Sequence, residues 1–126
     1  MPCCLVAEDE ALIGMALEAY LEDLGIDVAG AYPSCSEAAR WVETHTPELA
    51  ILDFKLKDGS CTDLARSLLA RGVPVIIYSG IPGTNDERQD LAGASWLEKP
   101  VDRATLLNVA LRLAPSLACR MRQAAA

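Results

Sequence analysis

Five times along this chain a short apolar run is followed by a stretch with helical spacing, and that alternation leaves few folds open. Cys3 to Ala7 is apolar without a polar alternate, as a strand buried on both faces should be. From Ala11 to Leu24 the apolar residues Leu12, Met15, Ala16, Ala19 and Tyr20 recur at helical spacing, and Gly25 ends the helix. Asp27 to Tyr32 reads as a weaker strand closed by Pro33. Ser34 or Ser36 then offers an N-cap for a helix through Ala38, Ala39 and Val42. Pro47 blocks that helix, and Leu49 to Leu52 forms a third strand ending on Asp53. Asp58-Gly59-Ser60 is a loop signal, Thr62 to Arg71 a helix stopped by Gly72, and Val75 to Tyr78 a β-branched fourth strand. Pro82, Gly83 and Asn85 make any fourth helix short or irregular. Trp96-Leu97 is a brief fifth strand, and Asp102 caps a last helix running to Leu113. Residues 1–115 then form one domain, and residues 116–126, beyond Pro115, read as a tail that frays.

Repeated strand–helix pairs predict an α/β fold, a parallel sheet with helices on both faces. Such sheets bind ligands outside the carboxyl ends of their strands. The chain places chemistry at those ends: Glu8-Asp9 after the first strand, Asp53 after the third, Ser79-Gly80 after the fourth and Lys99-Pro100 after the fifth. Three converging carboxylates would raise each other's pKa unless a cation joined them. A hard ion with oxygen ligands, Mg²⁺, suits such a pocket. Lys99 adds a mobile positive charge that can pair first with a carboxylate and later with a phosphate oxygen. An aspartate carboxylate is a competent nucleophile toward an activated phosphoryl group, and the Ser79 hydroxyl can bond a phosphoryl oxygen. Taken singly, each feature has a plainer reading. Glu8-Asp9-Glu10 could be carboxylates favoured by a helix dipole, and Lys99-Pro100 ordinary turn chemistry.

Composition narrows the partners. The net charge of −7 and the lack of a basic cluster argue against nucleic acid. No apolar stretch approaches the roughly 18 residues of a membrane span, and the N-terminus lacks signal-peptide features, so a cytoplasmic, non-membrane protein is expected. The five cysteines show no metal spacing and read as reduced, mostly buried thiols. His45, the single histidine, reads as a solvated helix-end residue.

Over residues 3 to 114 the chain resembles the receiver domain of two-component response regulators. The resemblance rests on Val6-Ala7-Glu8-Asp9-Glu10, on Ala50-Ile51-Leu52-Asp53 with a loop ending in Asp58-Gly59, on Val75-Ile76-Ile77-Tyr78-Ser79-Gly80, and on Gly93 to Pro100 with its Lys99-Pro100 pair. It implies a flavodoxin-like fold with sheet order 2-1-3-4-5. It also implies Mg²⁺ held by Asp9, Asp53 and the backbone carbonyl of Lys55, with Glu8 acting through water. Asp53 would be the phosphoacceptor for a phosphohistidine on a sensor histidine kinase or phosphotransfer protein. Ser79 and the aromatic Trp96 would form the switch toward an unknown downstream protein. The chain departs from the family pattern in three places. It lacks the common proline after Asp53, it puts Lys55 and Ile81 near the path of an attacking water, and it has Trp96 where Tyr or Phe is usual.

Two other readings compete. A phosphohydrolase of the haloacid-dehalogenase type needs an acid two residues after its nucleophile, and Lys55 stands there. A pseudo-receiver would not need the full set Glu8, Asp9, Asp53, Ser79 and Lys99. Nothing after Ala114 is sized for an output domain, so a switch without turnover is expected. Whether it acts alone or is part of something longer stays open.

Overall fold

The computed structural model describes residues 3–56, 58–80 and 85–125. Its elements are β1 (Cys4–Ala7), α1 (Ala11–Asp23), β2 (Val28–Tyr32), α2 (Cys35–Val42), β3 (Leu49–Asp53), the two-residue strands β4 (Lys55–Leu56) and β5 (Gly59–Ser60), α3 (Thr62–Ala70), β6 (Val75–Ser79), α4 (Asn85–Asp90), β7 (Ser95–Glu98), α5 (Arg103–Leu113) and α6 (Ser116–Ala125). Five strands pair in parallel in the order β2-β1-β3-β6-β7. Counted by themselves they run 2-1-3-4-5, the order that the resemblance implies. No described helix is long and apolar enough to cross a membrane.

Residues that alternate along the buried strands feed two separate cores. On one face Leu5, Ala7, Leu52 and Ile77 pack with Ala38 and Val42 of α2, Leu64 and Leu68 of α3, and Leu91. On the other, Val6, Ile51, Ile76 and Tyr78 pack with Leu17 and Leu21 of α1, Leu106 and Ala110 of α5, and Leu117 of α6. Burying a Leu or Ile side chain in full contributes roughly 1.5–3 kcal/mol, so both faces drive folding. The helices therefore cover the sheet on two sides, which the continuous apolar runs had required.

Four local outcomes refine the sequence reading. The apolar stripe of α1 is not its buried face: Leu12 and Met15 are 83% and 62% exposed, while Gly14, Leu17 and Leu21 face the sheet. The reason is Gly14, where an added Cβ would lie 2.8 Å from the Ala31 Cβ; only a bare backbone lets α1 settle on β2 there. The loop expected at Asp58-Gly59-Ser60 is the end of a small antiparallel hairpin, β4 with β5. The fourth helix is short, at six residues, while Ile81, Pro82 and Gly83 lie outside the described residues. The expectation of a frayed tail is corrected. Residues 116–125 are helical, Leu117 is 1% exposed in the second core, and the Ser116 hydroxyl donates to Glu48 at 2.6 Å.

The smaller expectations divide. Ser34 is the N-cap of α2, its Oγ accepting from the Glu37 amide, and Asp102 caps α5 through the Thr105 amide at 2.8 Å. Cys3, Cys4 and Cys61 are buried thiols, Cys35 is half-buried and Cys119 is exposed. His45 is exposed at the end of α2 and stacks on Trp41, with ring centroids 4.7 Å apart.

Candidate functional site

Strand parity decides which acidic groups meet. Tyr78 belongs to the core beneath α1 and α5, and by the two-residue repeat Asp53 and Glu8 turn to that same side. All three sit at or just past the carboxyl ends of neighbouring strands. Lys99, following β7, reaches across to them. Its Nζ lies 3.0 Å from Asp53 Oδ2, 3.1 Å from Glu8 Oε2 and 3.5 Å from Glu8 Oε1. The Lys99 amide donates to the Ser79 carbonyl at 2.8 Å, which fixes the lysine's backbone against β6.

Glu8 is 1% exposed and Asp53 6% exposed, so this is a buried charge cluster of two acids and one base. Burial alone would neutralise such carboxylates. The two acids respond differently. Burial pushes the Asp53 carboxyl up to about 6; Lys99 opposes that rise, and the neighbouring Glu8 charge adds to it. Glu8 feels burial as well, yet the Tyr78 hydroxyl, the Glu10 amide and Lys99 together hold it below the ordinary glutamate value. Lys99 is held above its ordinary value, since its bonds to Asp53 and Glu8 outweigh its own desolvation. With the Lys99 ammonium joining the two acids, Asp53 is raised and Glu8 is not.

Oxygen atoms of Glu8, Asp9 and Glu10 lie within 4.8 Å of one another, a hard donor set of the kind Mg²⁺ takes. Asp53 joins that group through Lys99. Ser79 is buried at the end of β6. Lys55 is exposed in β4, paired with Ser60, its Nζ 5.9 Å over the Phe54 ring. Trp96 is on the other side of the sheet from Lys99 and Tyr78. Its ring sits 5.2 Å from that of Phe54, under the Arg88 guanidinium, and its Nε1–H donates to the Leu91 carbonyl at 3.4 Å. The structure thus gathers Glu8, Asp9, Asp53 and Lys99, ties the Ser79 backbone carbonyl to the Lys99 amide, and packs Trp96 on Phe54, the residue after Asp53.

Two residues of the neighbourhood escape a reading of motifs. Tyr78 donates its hydroxyl to Glu8 Oε2, and Lys99 Nζ stands 4.7 Å over its ring. A tyrosine inside a buried strand needs a partner for its hydroxyl, which is the signal that points to this role. Asp58, at the hairpin, accepts from the Cys35 amide at 2.8 Å and the Ser36 amide at 3.0 Å, closing the N-terminus of α2 across 22 residues of chain. Nothing local in the sequence announces that contact.

Comparison with known proteins follows the same lines. The family model described as response regulator receiver domain matches residues 4–111. The chain is 30% identical over 106 residues to the transcriptional regulatory protein PdtaR of Mycobacterium tuberculosis, covering 82% of this chain and 52% of that protein. It thus spans about half the length of that curated relative. Among solved structures, the receiver domain of the PhyR response regulator from Erythrobacter litoralis superposes with a TM-score of 0.76 at 30% identity, over 89% of this chain and 88% of that one. A CheY-like receiver domain protein from Methanospirillum hungatei shares the fold, with a TM-score of 0.77 over 98% of both chains at 24% identity.

Proposed function

Because the chain belongs to the response regulator receiver domain family, we propose that Asp53 is its phosphoacceptor and that phosphorylation there switches its contacts with partner proteins. The observation that carries this reading is the buried Asp53 carboxylate, held 3.0 Å from Lys99 at the carboxyl end of β3. An Asp53 oxygen attacks the phosphorus of a phosphohistidine; the P–N bond breaks as the P–O bond forms, and the imidazole leaves. Lys99 starts on Asp53 and Glu8, and its ammonium turns to the new phosphoryl oxygens. The hydroxyl of Ser79 bonds one of those oxygens. Asp9, Asp53 and the backbone carbonyl of Lys55 would hold Mg²⁺, with Glu8 contributing through water. When bound, the ion neutralises charge on the transferring group.

The partner side of the reading rests on surface chemistry. Leu12, Ile13 and Met15 of α1 are exposed, and Leu12 and Ile13 line a cavity of about 600 Å³ that also touches Tyr78, Lys99 and Val101. An apolar face this close to the nucleophile suits docking of a sensor histidine kinase or a histidine phosphotransfer protein. The protein would act in the cytoplasm, as a switch and not by turning over a small substrate. Trp96, packed on Phe54 next to Asp53, would report the phosphorylated state to an as yet unidentified downstream protein.

The test is intact mass after incubation with acetyl phosphate and Mg²⁺. Wild type should gain one phosphoryl group and Asp53→Asn none. A wild type that stays unmodified while correctly folded would remove the reading.

A further inference from the structure

Glu8 is surrounded by donors from three different elements. Its Oε1 accepts from the Glu10 amide at 3.1 Å, its Oε2 accepts from the Tyr78 hydroxyl, and Lys99 Nζ reaches both oxygens. The group is 1% exposed, so these protein donors meet its oxygens in place of bulk solvent. Asp53 and Asp9 are placed differently: Asp53 has Lys99 as its donor, and Asp9 is half-buried beside Glu8 and Glu10.

We infer that Tyr78 is a positioning residue of this site: its hydroxyl helps saturate Glu8, leaving the cation of the acidic pocket to Asp9 and Asp53 and keeping Lys99 shared between Glu8 and Asp53. The inference rests on the reading of the pocket as an Mg²⁺-assisted phosphoacceptor. Its physical basis is competition for one carboxylate. An ionised carboxylate offers about four lone-pair positions, and here a backbone amide, a phenol and an ammonium draw on them. A hydroxyl bonded to a charged acceptor is stronger than a neutral pair, and in a buried site it screens the charge that a metal would otherwise meet. The ring contributes as well. With Lys99 Nζ 4.7 Å above its face, the ring gives the ammonium a resting place within reach of both acids. Tyr78 and Ser79 are sequence neighbours, so the strand that would deliver the phosphate-binding hydroxyl also fixes the carboxylate opposite it.

The competition has a sign. Tyr78→Phe keeps the ring, its packing and its contact with Lys99, and removes only the donor. Glu8 then becomes a stronger partner for any cation in the pocket. Titration of the phosphate-free protein with Mg²⁺ by calorimetry should give binding about three- to tenfold tighter in Tyr78→Phe than in wild type, the range expected for one lost competing hydrogen bond. In a Glu8→Gln background the same substitution should change Mg²⁺ affinity little, because the charge it acted on is gone; such a cycle isolates the Tyr78–Glu8 coupling. Circular dichroism and Tm of each variant verify the fold, and a purely structural tyrosine would alter Tm alone. Unchanged or weaker Mg²⁺ binding in Tyr78→Phe would overturn the inference, as would an equal effect with Gln at position 8. These outcomes are separate from the phosphoacceptor question. A Tyr78→Phe protein that accepts phosphate but binds Mg²⁺ like wild type defeats only the role of Tyr78, and a wild type that refuses phosphate defeats only the role of Asp53.

Discussion

The carboxylate proposed as phosphoacceptor would have to be ionised and yet shielded, and the surroundings of Asp53 act on both conditions. Burial lifts its pKa to about 6 from an ordinary 3.8, and Lys99 keeps that rise in check. The consequence for stability has a definite sign. A carboxyl whose folded value lies above its unfolded value costs stability at neutral pH, and the cost fades as the pH falls from about 6 toward 3.8. In Mg²⁺-free solution, Asp53→Asn should therefore be more stable than wild type at pH 7, by on the order of 1 kcal/mol after allowance for solvent screening. Denaturant unfolding at pH 7 and pH 4 checks it: the advantage should shrink at the lower pH. A less stable Asp53→Asn at pH 7 would mean that the ion pair with Lys99 outweighs the burial of Asp53. At this scale the sequence was informative wherever a reactive side chain closes a strand, as Glu8, Asp53 and Lys99 do. It was silent on Tyr78, because an aromatic in a buried strand reads as core until its hydroxyl is asked for a partner.

Between residues and fold stand the elements and the joints that hold them. Strands and helices were legible because their apolar periods differ, and the glycines at 25 and 72 stop helices where a positive φ is required, at 93° and 80°. The face of α1 was not legible, since the residue that decides it, Gly14, carries no hydrophobicity to count. The hairpin β4–β5 was seen only as a loop, and its link to α2 through Asp58 depends on a contact that no local pattern encodes. The amides of Cys35 and Ser36 hold the Asp58 carboxyl below the usual aspartate value. Asp58→Ala should therefore lower Tm at neutral pH and speed hydrogen exchange at those two amides. A depressed carboxyl contributes stability above its unfolded value and loses it as the pH falls through the folded one. The gap between variant and wild type should accordingly close as the pH drops below 3.8. Exchange at Cys35 and Ser36 that is indifferent to the substitution would show that Ser34 caps the helix unaided.

Over the whole molecule, two apolar cores on opposite faces of one sheet hold four strand ends in register, and the acidic pocket is where those ends converge. The architecture was legible in the sequence because parallel strands buried on both sides admit little else. The last helix was missed because Pro115 reads as a stop and the apolar positions beyond it, Leu117 and Met121, are too few to show a period. Because Leu117 of α6 is buried in the second core, Leu117→Ala should cost about 2–4 kcal/mol in equilibrium unfolding, far more than a change in an unpacked tail. On the proposed function, phosphate enters this molecule at one carboxylate among the several in its pocket. Borohydride reduction of the protein after brief exposure to a phosphodonor and Mg²⁺ tests this most directly, because an acyl phosphate is reduced in place and its aspartate becomes homoserine. Peptide mapping should find homoserine at position 53 and nowhere else. Homoserine at position 9, or its absence from a folded and Mg²⁺-loaded protein, would rule out Asp53 as the phosphoacceptor.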